Sequence, residues 1–365
     1  LVAITDLVVA GNELVAATQG RAFWSFDGLP HLRQLHAGLA QKDLHVFTPV
    51  PVAQFSGRGR ASKNEGVNPA TNMHVRFYVG GDDEAKIEQL VTIEVKDVDG
   101  KVVYSRSSAP ASAKPISKAE KLAAKEARDE SKDAEGKSDD KPKEKPLKVS
   151  RGMNIIEITW KEEPAKILEG MILWSGRGGP ARPAPGDYTV TVTVGEQSHA
   201  VVGRINPDPR TDATIVELQE RYRLVRDGNA LVTEAHEAIE LIRSLRAQMA
   251  TTVARMDEGQ NLDKLKAVET AASEEFTSIE ETLYQTKSKS RQDPLNYPIK
   301  LTDKLLGVLS ATNRAEFGPT NGQRDVAAQL SAAIKVELKR FEAARALHVA
   351  KFNKLARELA APHIK

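Results

Sequence analysis

The residues most open to a chemical reading are His236, Glu237 and Glu240, which put an imidazole and a carboxylate four positions apart. On a helix that spacing lets two side chains share a metal ion, the arrangement used in zinc-dependent hydrolysis. The pattern stops short of a metal centre: the second ligand is a glutamate where a histidine is wanted, and no third ligand follows. His236 also adjoins an apolar stripe, so a packed imidazole is the simpler reading, and His348 reads in the same way. His31, His36, His45, His74, His199 and His363 are scattered without metal-ligand spacing. The sequence has no cysteine, which excludes thiol catalysis and disulfides while leaving the compartment open. It has neither a Gly-x-Ser-x-Gly elbow nor a phosphate-binding Gly-Lys-Thr loop. Acidic pairs abound on the helical stretches, but glycoside hydrolysis needs two carboxylates facing each other across a cleft. No catalytic, cofactor or metal site is assigned on these grounds.

Two tryptophans offer binding in place of catalysis. Trp160 falls on the same strand face as Ile156 and Ile158 and reads as core. Trp174, beside Gly176 and Gly178, is read either as core or as an exposed platform on which a sugar or a protein partner could stack. It is the one candidate contact residue in the chain.

The elements that position these residues change character near residue 206. Before it, short runs alternate apolar with polar residues: 4–10 and 13–18 around the turn-forming Gly11-Asn12, then 21–26, 43–47, 73–79, 90–97 and 101–105 around Asp99-Gly100. Further strands are expected at 154–160, 171–174, 188–194 and 198–205. About seven of these, from residue 71 onward, suggest an immunoglobulin-like or fibronectin-like sandwich. Asn206-Pro-Asp-Pro209 ends the sheet, and Thr214 with Glu217 has the spacing of a capping box. Beyond it, apolar residues recur at helical spacing in four stretches, one of roughly forty residues from Thr214, then 262–283, 301–309 and 326–359. Their one-sided stripes predict an antiparallel bundle, with Leu295 and Tyr297 of the 293–298 loop capping its end.

The run Leu7-Val-Val-Ala, the stretch Leu14 to Trp24 and Leu32-Arg-Gln-Leu35 resemble the final blade of large bacterial propeller proteins with BNR (Asp-box) repeats, of the sortilin-like or glycoside-hydrolase-like kind. The resemblance continues at Gly152-Met-Asn154 with Trp160, Pro185 to Val190, Pro207-Asp-Pro-Arg210 and Asp293 to Pro298. It implies an α+β multidomain chain: terminal β-propeller blade strands at 1–51, a linker at 52–70, a β-sandwich at 71–206, and a helical bundle at 207–365. It also implies a secreted bacterial protein, periplasmic or extracellular. The chain opens without Met in strand-like sequence and reads as a processed or truncated piece of a larger protein. A propeller of the same parent, or another copy of the chain, would cover the apolar strands of 1–51, and a glycan or protein ligand is the other expected partner. The long charged insertion departs from the family pattern.

With 52 basic against 50 acidic residues and a net charge of +2, the chain lacks the electrostatic footprint of a nucleic-acid binder. No apolar run is long enough for a membrane span. Residues 107–148 are almost wholly Lys, Glu, Asp, Ala, Ser and Pro, too few apolar groups to offset the entropy of ordering, so a disordered spacer between two sandwich strands is expected. The function implied is a non-catalytic accessory and interaction module. The alternative is a piece of a glycoside hydrolase or sialidase-like enzyme whose active site lies on the propeller.

Overall fold

The computed structural model describes residues 2–54, 72–81, 89–108, 146–160, 162–256 and 260–358. The body of the charged insertion and most of the expected linker lie outside them. The fold is mixed α+β, and the chain divides into two compact units, 1–160 with 186–208, and 161–185 with 209–365.

In the first unit, β1 (Ile4–Ala10), β2 (Glu13–Thr18) and β3 (Phe23–Phe26) form an antiparallel sheet in that order. Gly11 makes the β1–β2 turn at φ +61°, a conformation open to it because it has no Cβ. The register puts Leu7, Ala16 and Trp24 in one row and Val9, Leu14 and Phe26 in the next. These share a face, while Val8 and Phe23 belong to the other.

The expected fourth strand of this blade belongs elsewhere. β4 (Leu44–Val46) pairs with β6 (Met73–Val79), and β6 with β9 (Gly152–Ile158), in a second sheet. The physical reason is the apolar pair Val46 and Phe47, which is buried with Met73, Val75 and Phe77. A five-stranded sheet has the order β5 (Val52–Ala53), β11 (Gln197–Asn206), β10 (Gly186–Val194), β7 (Val91–Lys96), β8 (Val102–Ser107). The start of the expected linker is thus a short strand, parallel to β11 through Val52 and Ile205. Alternate residues of these sheets, among them Val75, Phe77, Ile93, Val95, Tyr188, Val190 and Val192, are buried in one shared core. Trp160 packs against that core with its ring 4.8 Å from Tyr188, as its parity predicts.

The ends of the insertion are also part of this unit. Leu147, expected within the spacer, is buried in the shared core, and its N–H donates to Ser107 O at 3.0 Å. An apolar residue flanking a charged run is drawn into the nearest core even where its neighbours are not.

The second unit holds four long helices: α1 (Ile215–Ala254), α2 (Gln260–Leu283), α3 (Leu301–Arg314) and α4 (Asn321–Glu358). The capping box forms as the sequence predicts: Thr214 Oγ1 accepts from Glu217 N at 3.3 Å, and Glu217 Oε2 accepts from Thr214 N at 2.8 Å. Ile239, Ile242, Leu265, Phe276, Ile279, Leu305 and Ile334 form the centre of the bundle core. Leu295 and Tyr297 do not cap its end, being 75% and 40% exposed. Their loop is organised locally, by Asp293 accepting from the backbone N–H groups of Lys289 and Ser290.

No strand forms at 171–174, and this is the largest departure from the sequence reading. Residues 162–185 are an extended strap that leaves the strands at Trp160, runs over the helices and returns to β10. Ala165 is buried in the bundle core, with Leu168, Met171 and Leu173 packed against it.

Candidate functional site

The two candidate metal-like carboxylates and His236 are split between environments. His236 is fully buried, its Nδ1 donating to the Lys166 carbonyl at 2.5 Å, while Glu240 is engaged by Lys166 Nζ at 2.7 Å on the exposed side. The residues four apart therefore meet the backbone and the side chain of one strap residue and converge on no shared point. Among the described residues no group of three His, Cys, Asp or Glu side chains could hold a metal ion. His348, also on a buried stripe, has Nε2 2.8 Å from Glu275 Oε2 and its ring 6.0 Å from Phe276.

Burial is the main cause of a lowered His236 pKa, with Arg243 and Lys166 adding to it and the Lys166 carbonyl bond and Asp303 opposing. Because the folded pKa lies below the usual 6.5, the unfolded chain binds more protons in acid. Stability from the neutral ring is complete above pH 6.5 and falls as pH drops through that value toward the folded pKa. We expect His236→Asn, which keeps a donor to Lys166 O, to show a shallower decline of melting temperature between pH 7 and 5 than the parent. Identical slopes would place the acid sensitivity in other groups.

Trp174 is 55% exposed and so is not a core residue. The backbone beneath it is fixed. Asp303, buried in the first turn of α3, accepts from Trp174 N through Oδ2 and from Ser175 N through Oδ1, both at 2.8 Å. A Cβ on the next residue, Gly176, would lie 2.3 Å from the Leu306 carbonyl oxygen, so only glycine permits the strap to lie this close to the α3 backbone. Farther along, Arg182 N donates to Asn313 Oδ1 at 3.1 Å, and Asn229 Nδ2 on α1 donates to Gly179 O at 2.9 Å. The Pro- and Gly-rich composition of this stretch thus serves close packing along two helices.

Between the strap, α1 and α3 lies a cavity of about 880 Å³. Trp174 lines it, together with Arg177 of the strap, Arg291 of the α2–α3 loop, and Asn229, Ser310 and Arg314 of the helices. None of the described lining residues is acidic. Compared with protein-family models, curated proteins and solved structures, the chain matches none of them.

Of these lining residues the sequence reading singled out Trp174 alone. Asp303, Asn229 and the three arginines sit in separate stretches, and no local spacing connects them. The one sequence signal was the glycine density around Trp174, which marks a backbone that must approach another closely.

Proposed function

We propose that this chain is a non-catalytic accessory and interaction module of a secreted β-propeller protein, periplasmic or extracellular. The observation that carries the reading is the β1–β3 sheet. Leu7, Val9, Trp24 and Phe26 are exposed on one face, and Val8 and Phe23 on the other. A three-stranded sheet with large apolar groups on both faces needs a covering layer on each side. A propeller supplies that, since every blade is packed between two neighbours, and radial repetition also protects the edges. A second copy of the chain would bring one further sheet and cover one face. The two-sheet core is proposed as an immunoglobulin-like sandwich, and Trp174 as the ligand contact of the helical unit.

The test is expression of the reading frame extended upstream of Leu1, compared with this chain by hydrogen exchange. Covering the four side chains of the first face alone is worth on the order of 4 kcal/mol, which corresponds to roughly 1,000-fold slower exchange of the β1–β3 amides. Equal exchange in both proteins, with this chain a compact monomer, would refute the proposal.

A further inference from the structure

The cavity beside Trp174 has a chemical bias. Arg177, Arg291 and Arg314 reach it from three different elements, and none of them forms an ion pair among the described residues. Arg314 directs Nε to the Ser310 carbonyl at 3.1 Å. Asn229 is buried, and its Nδ2 bond to Gly179 O fixes which way the amide points. Its Oδ1 then has no hydrogen-bond partner. A buried acceptor left unpaired costs about 1 to 3 kcal/mol, and such a group in a native fold calls for an explanation. Here the orphan acceptor belongs to a residue that lines a cavity.

We propose that this cavity binds an acidic sugar, a pyranose ring bearing a carboxylate, with its apolar face on Trp174, its acid group among the arginines and its hydroxyls donating to acceptors of the lining. The proposal rests on reading Trp174 as a ligand contact. The volume is within the range of small-molecule sites, roughly 300 to 1,000 Å³. Arginine is the cation whose planar fork matches a carboxylate through two parallel hydrogen bonds. A phosphate is the competing anion, and the helix disfavours it. Leu309, Ser310, Asn313 and Arg314 belong to the C-terminal turns of α3, where backbone carbonyls and the negative end of the helix dipole lie. That end repels a dianion and accepts bonds from hydroxyl groups. A sugar acid, with one negative charge and several hydroxyl donors, suits both the cationic rim and the carbonyl-rich wall.

The experiment is calorimetry of the full chain with oligosaccharides of galacturonate, mannuronate and glucuronate, and with their neutral counterparts, alongside inorganic phosphate and ATP as competitors. We expect at least one uronate to bind ten times more tightly than its neutral counterpart, with affinity falling as salt is raised. Arg177→Gln, Arg291→Gln and Arg314→Gln should each lose about five- to tenfold of that affinity, the net contribution of one ordinary hydrogen bond. Trp174→Ala should abolish binding of charged and neutral sugars at an unchanged melting temperature. Neutral sugars binding as well as acidic ones, lost in Trp174→Ala and unaffected in the arginine variants, would overturn the acidic-sugar inference and leave the contact reading standing. Sugar binding untouched by Trp174→Ala would overturn both, and no binding of any sugar at millimolar concentration would overturn the acidic-sugar inference. Displacement of a bound uronate by phosphate or ATP at equal concentration would reassign the arginines to phosphate.

Discussion

Asp303→Ala is expected to release the strap from α3 and to lower the stability of the helical unit by roughly 2 to 4 kcal/mol. The carboxylate accepts two charge-assisted bonds of 2.8 Å from consecutive backbone N–H groups, Trp174 and Ser175. Each such bond contributes about 1.5 to 3 kcal/mol, and desolvation of the buried carboxylate offsets part of the sum. Alanine removes both acceptors and leaves two donors without a partner. Asparagine offers a single oxygen, so Asp303→Asn should lie between the parent and the alanine variant. Exchange of the Trp174 and Ser175 amides is the direct measurement, with thermal melting alongside. Exchange rates unchanged in Asp303→Ala would show that Gly176 and the apolar contacts of Leu168, Met171 and Leu173 hold the strap without it.

The second large effect is expected at the opposite kind of site. Phe276 on α2 is fully buried, with Phe341 and His348 of α4 each 6.0 Å away between ring centres, both in edge-on orientation. Phe276→Ala removes a ring that these neighbours enclose, and the helices cannot close over the gap without bending. We expect a loss of about 3 to 5 kcal/mol, the range for truncating a buried phenylalanine. For a unit of this size that lowers the melting temperature by roughly 6 to 20 °C. Denaturant unfolding followed by the helical signal of circular dichroism checks the value. A loss below about 1 kcal/mol would mean that the core collapses into the space.

Where the sequence was legible, a local rule and the tertiary environment agreed. β1 ends and β2 begins where the Gly11-Asn12 turn requires, and α1 begins where the Thr214–Glu217 capping box predicts. Met171 to Trp174 was misread because four consecutive apolar residues have no period of their own. The environment that decides their conformation is supplied by helices that begin more than forty residues later. Leu295 and Tyr297 illustrate the converse, apolar residues left exposed because a local turn holds their loop. Val46 and Phe47 were placed in the wrong sheet for a third reason. A strand's sequence tells which face is buried and not which partner buries it. The candidate site was legible only at Trp174, since its charges come from three separate segments and its supporting carboxylate lies 129 residues from the backbone it holds.

The strap also sets an order of events during synthesis. Residues 162–185 leave the ribosome before any of the helices on which they pack, and β10 and β11 follow before α1 begins. The bonds from Lys166 N to Thr233 and from Trp174 N to Asp303 span 67 and 129 residues, so the second cannot form until most of the chain has been made. Loop closure over such separations is slow relative to helix formation. The strap's apolar residues therefore wait uncovered while the strands on either side of them can already pair, and the cavity beside Trp174 is among the last features of the nascent protein to be completed.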